Sequence, residues 1–136
     1  MDALGNVQAV IAECTLVTTG GVGTAAYEID LRKFYVSPGK REVMAVLTAI
    51  APASASCTLY TPKFTEASSS ATAGSNYTDV TSGAFTGVTA AAGAAITRQQ
   101  IFFGLHPDKP FVRIYNTITG GKINASIVLF MVKRIS

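Results

Sequence analysis

Apolar and polar positions in this chain mostly alternate in short stretches, with a period of two and not the roughly 3.6 of a helix, and Gly, Pro, Ser and Asn break the stretches apart. The clearest case is Tyr27, Ile29 and Leu31 set against Glu28, Asp30 and Arg32, the signature of a strand with one wet face. The pattern predicts a first strand over Gln8–Thr18, closed by a turn at Thr19-Gly20-Gly21-Val22-Gly23. A second strand, Thr24–Val36, ends at Ser37-Pro38-Gly39-Lys40, where Pro followed by Gly suits a tight turn. Glu42–Ile50 is apolar on both faces, as in a buried central strand. A short helix competes there because Ala, Met and Leu are good helix formers, but the length and the following Ala51-Pro52 favour a strand. Ser54–Lys63 alternates Cys57, Leu59 and Thr61 against Thr58 and Tyr60. Pro62 has no amide donor, which predicts a strand end or an edge.

Glu66–Asn76 holds no large apolar group to offset its ordering entropy, so residues 66–76 read as an exposed loop. Extended structure resumes at Tyr77–Val80, and the Gly-, Ala- and Thr-rich Ser82–Ala95 is open between strand and loop. Ile96–Gly104, Phe111–Thr119 and Ile123–Ile135 predict three more strands, separated by turns at Leu105–Pro110 and at Gly120-Gly121, a pair that suits a two-residue hairpin. About eight strands with regular turn signals, and no strong helical period, predict a single all-β domain over residues 1–136. Its architecture is an antiparallel β-sandwich, a jelly roll or an open barrel, because strand rhythm does not encode strand order.

Composition narrows the function classes. The chain has 136 residues, 49% of them hydrophobic and only 14% charged, which excludes a charge-driven disordered protein and a coiled coil. Lys and Arg number 11 against 8 Asp and Glu, and they fall in isolated doublets, Arg32-Lys33, Lys40-Arg41 and Lys133-Arg134. That is no basic stripe, so nucleic acid is not an expected partner. The longest apolar runs, Val43–Ile50 and Ile127–Val132, are strand length and well short of the roughly 18–20 residues of a spanning helix, so no membrane partner is expected. The opening Met-Asp-Ala-Leu-Gly-Asn lacks the basic and apolar regions of a secretory signal. Cys14 and Cys57 read as buried reduced thiols, with a single disulfide between them left open.

No set of residues spells out a reaction. His106, the one histidine, lies in a polar turn with Asp108 two positions on and reads as a surface residue. Cys and His are not paired at zinc-ligand spacing, and Glu28 and Asp30 read as solvating charges rather than a calcium loop. Gly20-Gly21-Val22-Gly23-Thr24 lacks the lysine of a phosphate loop. Asn76-Tyr77-Thr78 and Asn124-Ala125-Ser126 match the glycosylation pattern by chance. The expectation is a protein that is not an enzyme and holds no cofactor or metal. Tyr35, Phe64, Tyr77, Phe85, Phe103, Phe111 and Tyr115 are expected mostly in the core.

The second half, roughly residues 57–136, carries a recognisable order of features. An amphipathic strand at Leu59–Phe64 leads into the Ser-rich Ser68–Asn76, then Tyr77-Thr78-Asp79-Val80 and the Ala/Gly/Thr-rich Phe85–Ala95. Gly104, Phe111-Val112-Arg113-Ile114, Ile118-Thr119-Gly120 and the apolar Ile127–Arg134 with its basic end follow. This order resembles the small β-sandwich head decoration, or capsid cement, proteins of tailed bacteriophages. It departs from them in having Ser and Ala where an acidic pair is usual in the loop, and in the turn lengthened by Pro107 and Pro110. The resemblance implies a virion protein on the capsid exterior that binds the major capsid protein in the assembled lattice, as a homotrimer at capsomer junctions. Expected contacts are the arm Met1–Asn6, with Met1, Asp2, Leu4 and Asn6, and Arg32, Lys33, Lys40 and Arg41 around the Ser37–Gly39 turn. Arg113 reads equally as a contact or as half of a cross-strand ion pair. The alternatives are a tail-tube or head–tail joining protein of similar fold, and a carbohydrate-binding module stacking sugars on Tyr60, Tyr77 or Phe111.

Overall fold

A computed structural model describes residues 7–10, 21–23, 28–30, 32, 41–51, 53, 56–69 and 77–132. Their regular structure is entirely β, in ten strands: β1 (Val7–Val10), β2 (Gly21–Gly23), β3 (Glu28–Asp30), β4 (Arg41–Ile50), β5 (Cys57–Ala67), β6 (Thr78–Ala84), β7 (Val88–Ala90), β8 (Thr97–Leu105), β9 (Phe111–Gly121) and β10 (Asn124–Val132). All pairings are antiparallel. One sheet runs β1-β10-β4-β8 and the other β2-β9-β5-β6, with β3 also on β9 and β7 also on β5. Since β2 and β3 share one neighbour, and β6 and β7 another, each couple acts as one interrupted strand. The described strands then number eight in a β-sandwich, ordered 1-8-3-6 and 2-7-4-5, which is the strand order of a jelly roll.

The two inner faces make one core. Val43, Ala45, Leu47 and Ala49 of β4 alternate inward, as do Ala125, Ile127 and Leu129 of β10. They meet Tyr60 and Phe64 of β5 and Val112, Ile114 and Ile118 of β9. Phe64 joins the sheets, its ring 4.8 Å from that of Phe103 on β8 and 6.1 Å from that of Phe85. At the centre of the larger sheet the buried Tyr60 hydroxyl donates to Asn116 Oδ1 at 2.7 Å, which satisfies both groups out of water. Burial pushes the Cys57 thiol above its ordinary range, and Cys57 is a free thiol; Cys14 lies outside the described residues.

Several sequence expectations need correction. Gly21–Gly23 is not a turn but a strand edge paired with Ile118–Asn116, since backbone hydrogen bonding to β9 needs no side chain. Pro62 is inside β5, not at its end or on an edge. Its carbonyl accepts from Phe85 N at 3.1 Å, so its missing N–H points to the gap between β6 and β7, where no ladder bond is lost. Gly120-Gly121 does not close a hairpin, because β9 and β10 belong to different sheets. The pair turns the chain from one layer to the other with φ of 57° and 106°. A Cβ on Gly121 would lie 1.6 Å from Ser56 O, which instead accepts from Lys122 N at 3.0 Å. Finally, Glu66 and Ala67 are not loop residues: they end β5, buried and paired with Val112 and Phe111. Residues 68–69 are exposed, and 70–76 lie outside the described residues, as do most of the two N-terminal strand predictions and the Ser37-Pro38-Gly39-Lys40 turn.

Candidate functional site

The inward register of β5 runs Tyr60, Pro62, Phe64, Glu66, and it puts a carboxylate at the end of the core with 1% of Glu66 exposed. An isolated buried carboxylate is costly unless paired and hydrogen-bonded. Here the turn from β8 to β9 supplies the partners. His106 N donates to Glu66 Oε2 at 3.2 Å, His106 Nδ1 is hydrogen-bonded to Oε1, and Lys109 Nζ stands 3.7 Å from Oε1. Lys109 Nζ also donates to Thr78 Oγ1 at 3.0 Å. His106 is thus exposed, as expected, but it is anchored to a buried acid that strand rhythm did not single out. The arrangement fastens the turn between the sheets.

A second cluster lies on the outer side of the same sheet. The guanidinium of Arg113 rests 4.4 Å from the centre of the Tyr77 ring, and the Tyr77 hydroxyl donates to Glu28 Oε2. Glu28 and Arg113 are register partners across β3 and β9. Burial, with the Glu28 acceptor adding to it, raises the Tyr77 phenol well above its ordinary range. Arg113 is thus stacked on an aromatic ring of its own chain, and its buried Nε finds no acceptor among the described residues. Arg32 pairs with Asp30 at 2.9 Å and covers the Phe111 ring at 4.8 Å. The Asp30 carboxylate moves the exposed guanidinium further above its ordinary range. Lys63 pairs with Asp79 at 2.8 Å and lies over Tyr115.

Of the other expected contact residues, Arg41 opens β4 opposite Leu105. Met1, Asp2, Leu4, Asn6, Lys33 and Lys40 lie outside the described residues. Tyr60 is fully buried, Phe111 is buried, and Tyr77 is half-buried beneath Arg113, so none offers an open ring to a sugar. Among the described residues no three His, Cys, Asp or Glu side chains gather as metal ligands.

Among the described residues, the outer face of the smaller sheet carries several apolar side chains. Across β10, β4 and β8 its outward positions form rows: Phe130, Met44 and Phe102; Val128, Val46 and Gln100; Ser126, Thr48 and Arg98. Phe102 is 63% exposed, the most open large apolar side chain described. Gln100 Nε2 turns toward Met44 Sδ at 3.1 Å. This face was missed in the sequence because Glu42–Ile50 and Ile127–Val132 look alike whether their second face is buried by a layer or left outside. No family model, no curated protein and no solved structure matches the chain.

Proposed function

We propose that this chain is a non-enzymatic structural protein of a bacteriophage particle, a decoration or cement protein that docks on the assembled capsid lattice from outside and stabilises it. The observation that carries the reading is the division of its surface. Charged side chains on and beside the larger sheet find partners within the chain, Glu66 with His106 and Lys109, Asp30 with Arg32, and Asp79 with Lys63. The smaller sheet leaves an apolar row ending at Phe102. An exposed apolar side chain flanked by half-buried ones and rimmed by polar groups suits a contact site for protein, membrane or ligand, and the reading takes a protein partner. Jelly rolls occur among viral capsid domains, and the features that resemble decoration proteins fall on β5 to β10.

A protein that binds the assembled shell and not its free subunits stabilises the shell by mass action, and copies linked to one another gain avidity. The expected outcome is that particles lacking the protein release their DNA at lower temperature, and that the purified protein sediments with empty shells. An unchanged release temperature together with no co-sedimentation overturns the reading. Normal shells without tails, in particles lacking the protein, would replace it by the tail-tube or joining role. With Tyr60 buried, Phe111 buried and Tyr77 covered, no observation favours the carbohydrate module.

A further inference from the structure

The smaller sheet ends at β8, which pairs with β4 along nearly its whole length and, among the described residues, with no strand on its other side. The other sheet comes near through β6 and through Gln99 Nε2, which donates to Thr86 O at 3.0 Å. Natural sheets guard a long edge with proline, a bulge, inward charges or several lysines in the strand, or by covering it with a helix or loop. Over its nine residues β8 has no proline, bulge, inward charge or lysine, and Arg98 is its single charge.

We propose that β8 pairs antiparallel with β8 of a second copy of this chain about a two-fold axis at Ile101, joining the two smaller sheets into one. Full-length pairing sets the register. Phe102 then faces Gln100 of the second copy, and Arg98 faces Gly104 of the second copy. Gly104 has no side chain, and its register partner on β4 is Glu42. The second copy's Arg98 therefore lies across Gly104 with its guanidinium directed at Glu42, and the two-fold axis makes this contact twice. Glu42 and Arg98 are the two charged side chains described on the outward face of β4, β8 and β10, they are of opposite sign, and they lie at opposite ends of the β4–β8 ladder. Arg98 has no ion pair within its own chain among the described residues, whereas Glu42 already has a contact there and gains a second. Such an interface is self-complementary, as a two-fold contact requires. It also carries the apolar rows through the junction: Phe130, Met44 and Phe102 continue into Gln100, Val46 and Val128 of the second copy. The inference goes beyond the proposed function and holds whichever partner the assembled sheet meets.

The test is the solution mass of the full chain by sedimentation, with the variants Arg98→Glu, Glu42→Arg, the double exchange and Phe102→Lys. The expected native species is a dimer. Arg98→Glu sets two like charges against each other at both ends and weakens association by about tenfold or more. The double exchange restores the dimer, which a role of either residue in folding alone would not do, and Phe102→Lys abolishes it. A chain that stays monomeric up to about 100 µM, far above the dissociation constant of a specific contact, overturns the proposal. So does an oligomer, a trimer included, whose mass is indifferent to Arg98→Glu and Phe102→Lys. Capsid co-sedimentation of the native chain separates the two claims: a native chain that stays monomeric and still binds shells overturns this pairing and leaves the cement reading standing.

Discussion

Tyr77 owes its properties to neighbours distant in sequence. Its ring is covered by Arg113, its hydroxyl donates to Glu28, and burial is the larger reason that its phenol holds its proton. The phenol is raised in the folded chain relative to the unfolded one. The stabilisation it brings is therefore fully present below the ordinary tyrosine range near pH 10 and is lost as pH climbs through the higher folded value. In an ultraviolet titration of the folded protein, the Tyr77→Phe variant is expected to lack one phenol that ionises well above the ordinary range. An unchanged alkaline end of the curve would refute this. Nothing in the triplet Tyr77-Thr78-Asp79 announces such a phenol, because both its partners come from other strands. Glu66 was partly legible: the inward parity of Tyr60 and Phe64 extends to it, provided the strand is continued past Lys63. The lack of large apolar groups after Phe64 argued for a loop, and pairing with Val112 and Phe111 overrode that local argument.

At the scale of elements, strand-length apolar stretches bounded by turn residues located β4, β8, β9 and β10 to within a few residues. The connections were not legible in the same way. Gly120-Gly121 has the composition of a hairpin turn, yet it carries the chain across from one sheet to the other. Its φ of 106° at Gly121 and the proximity of Ser56 O leave no room for a side chain. Gly121→Ala combines backbone strain with overpacking, so it is expected to cost roughly 3 kcal/mol or more, and to lower the melting temperature by roughly 10 °C. Thermal unfolding followed by circular dichroism reads this directly; a loss within about 1 °C would mean the corner relaxes freely. Pro62 teaches the reverse lesson, since a residue with no N–H to donate is tolerated inside a strand where the neighbouring strand is broken.

The whole molecule has one core shared by both sheets, and it is expected to unfold in a single transition. Leu47→Ala, in the smaller sheet, removes a fully buried side chain and is expected to cost about 2–5 kcal/mol. Tyrosine fluorescence, to which Tyr60 and Tyr115 of the larger sheet contribute, should shift by the same amount as the far-ultraviolet signal. Two separated transitions would mean that the layers are independent units. The sequence by itself determined the all-β class, the approximate strands and the low charge of the surface, because side-chain alternation and turn residues are local records of burial. Only the tertiary structure decided the jelly-roll order, the buried Glu66 beneath His106, and the outward apolar row that ends at Phe102. Those depend on which strands lie side by side, and pairing partners are set by contacts across the fold that no local pattern contains.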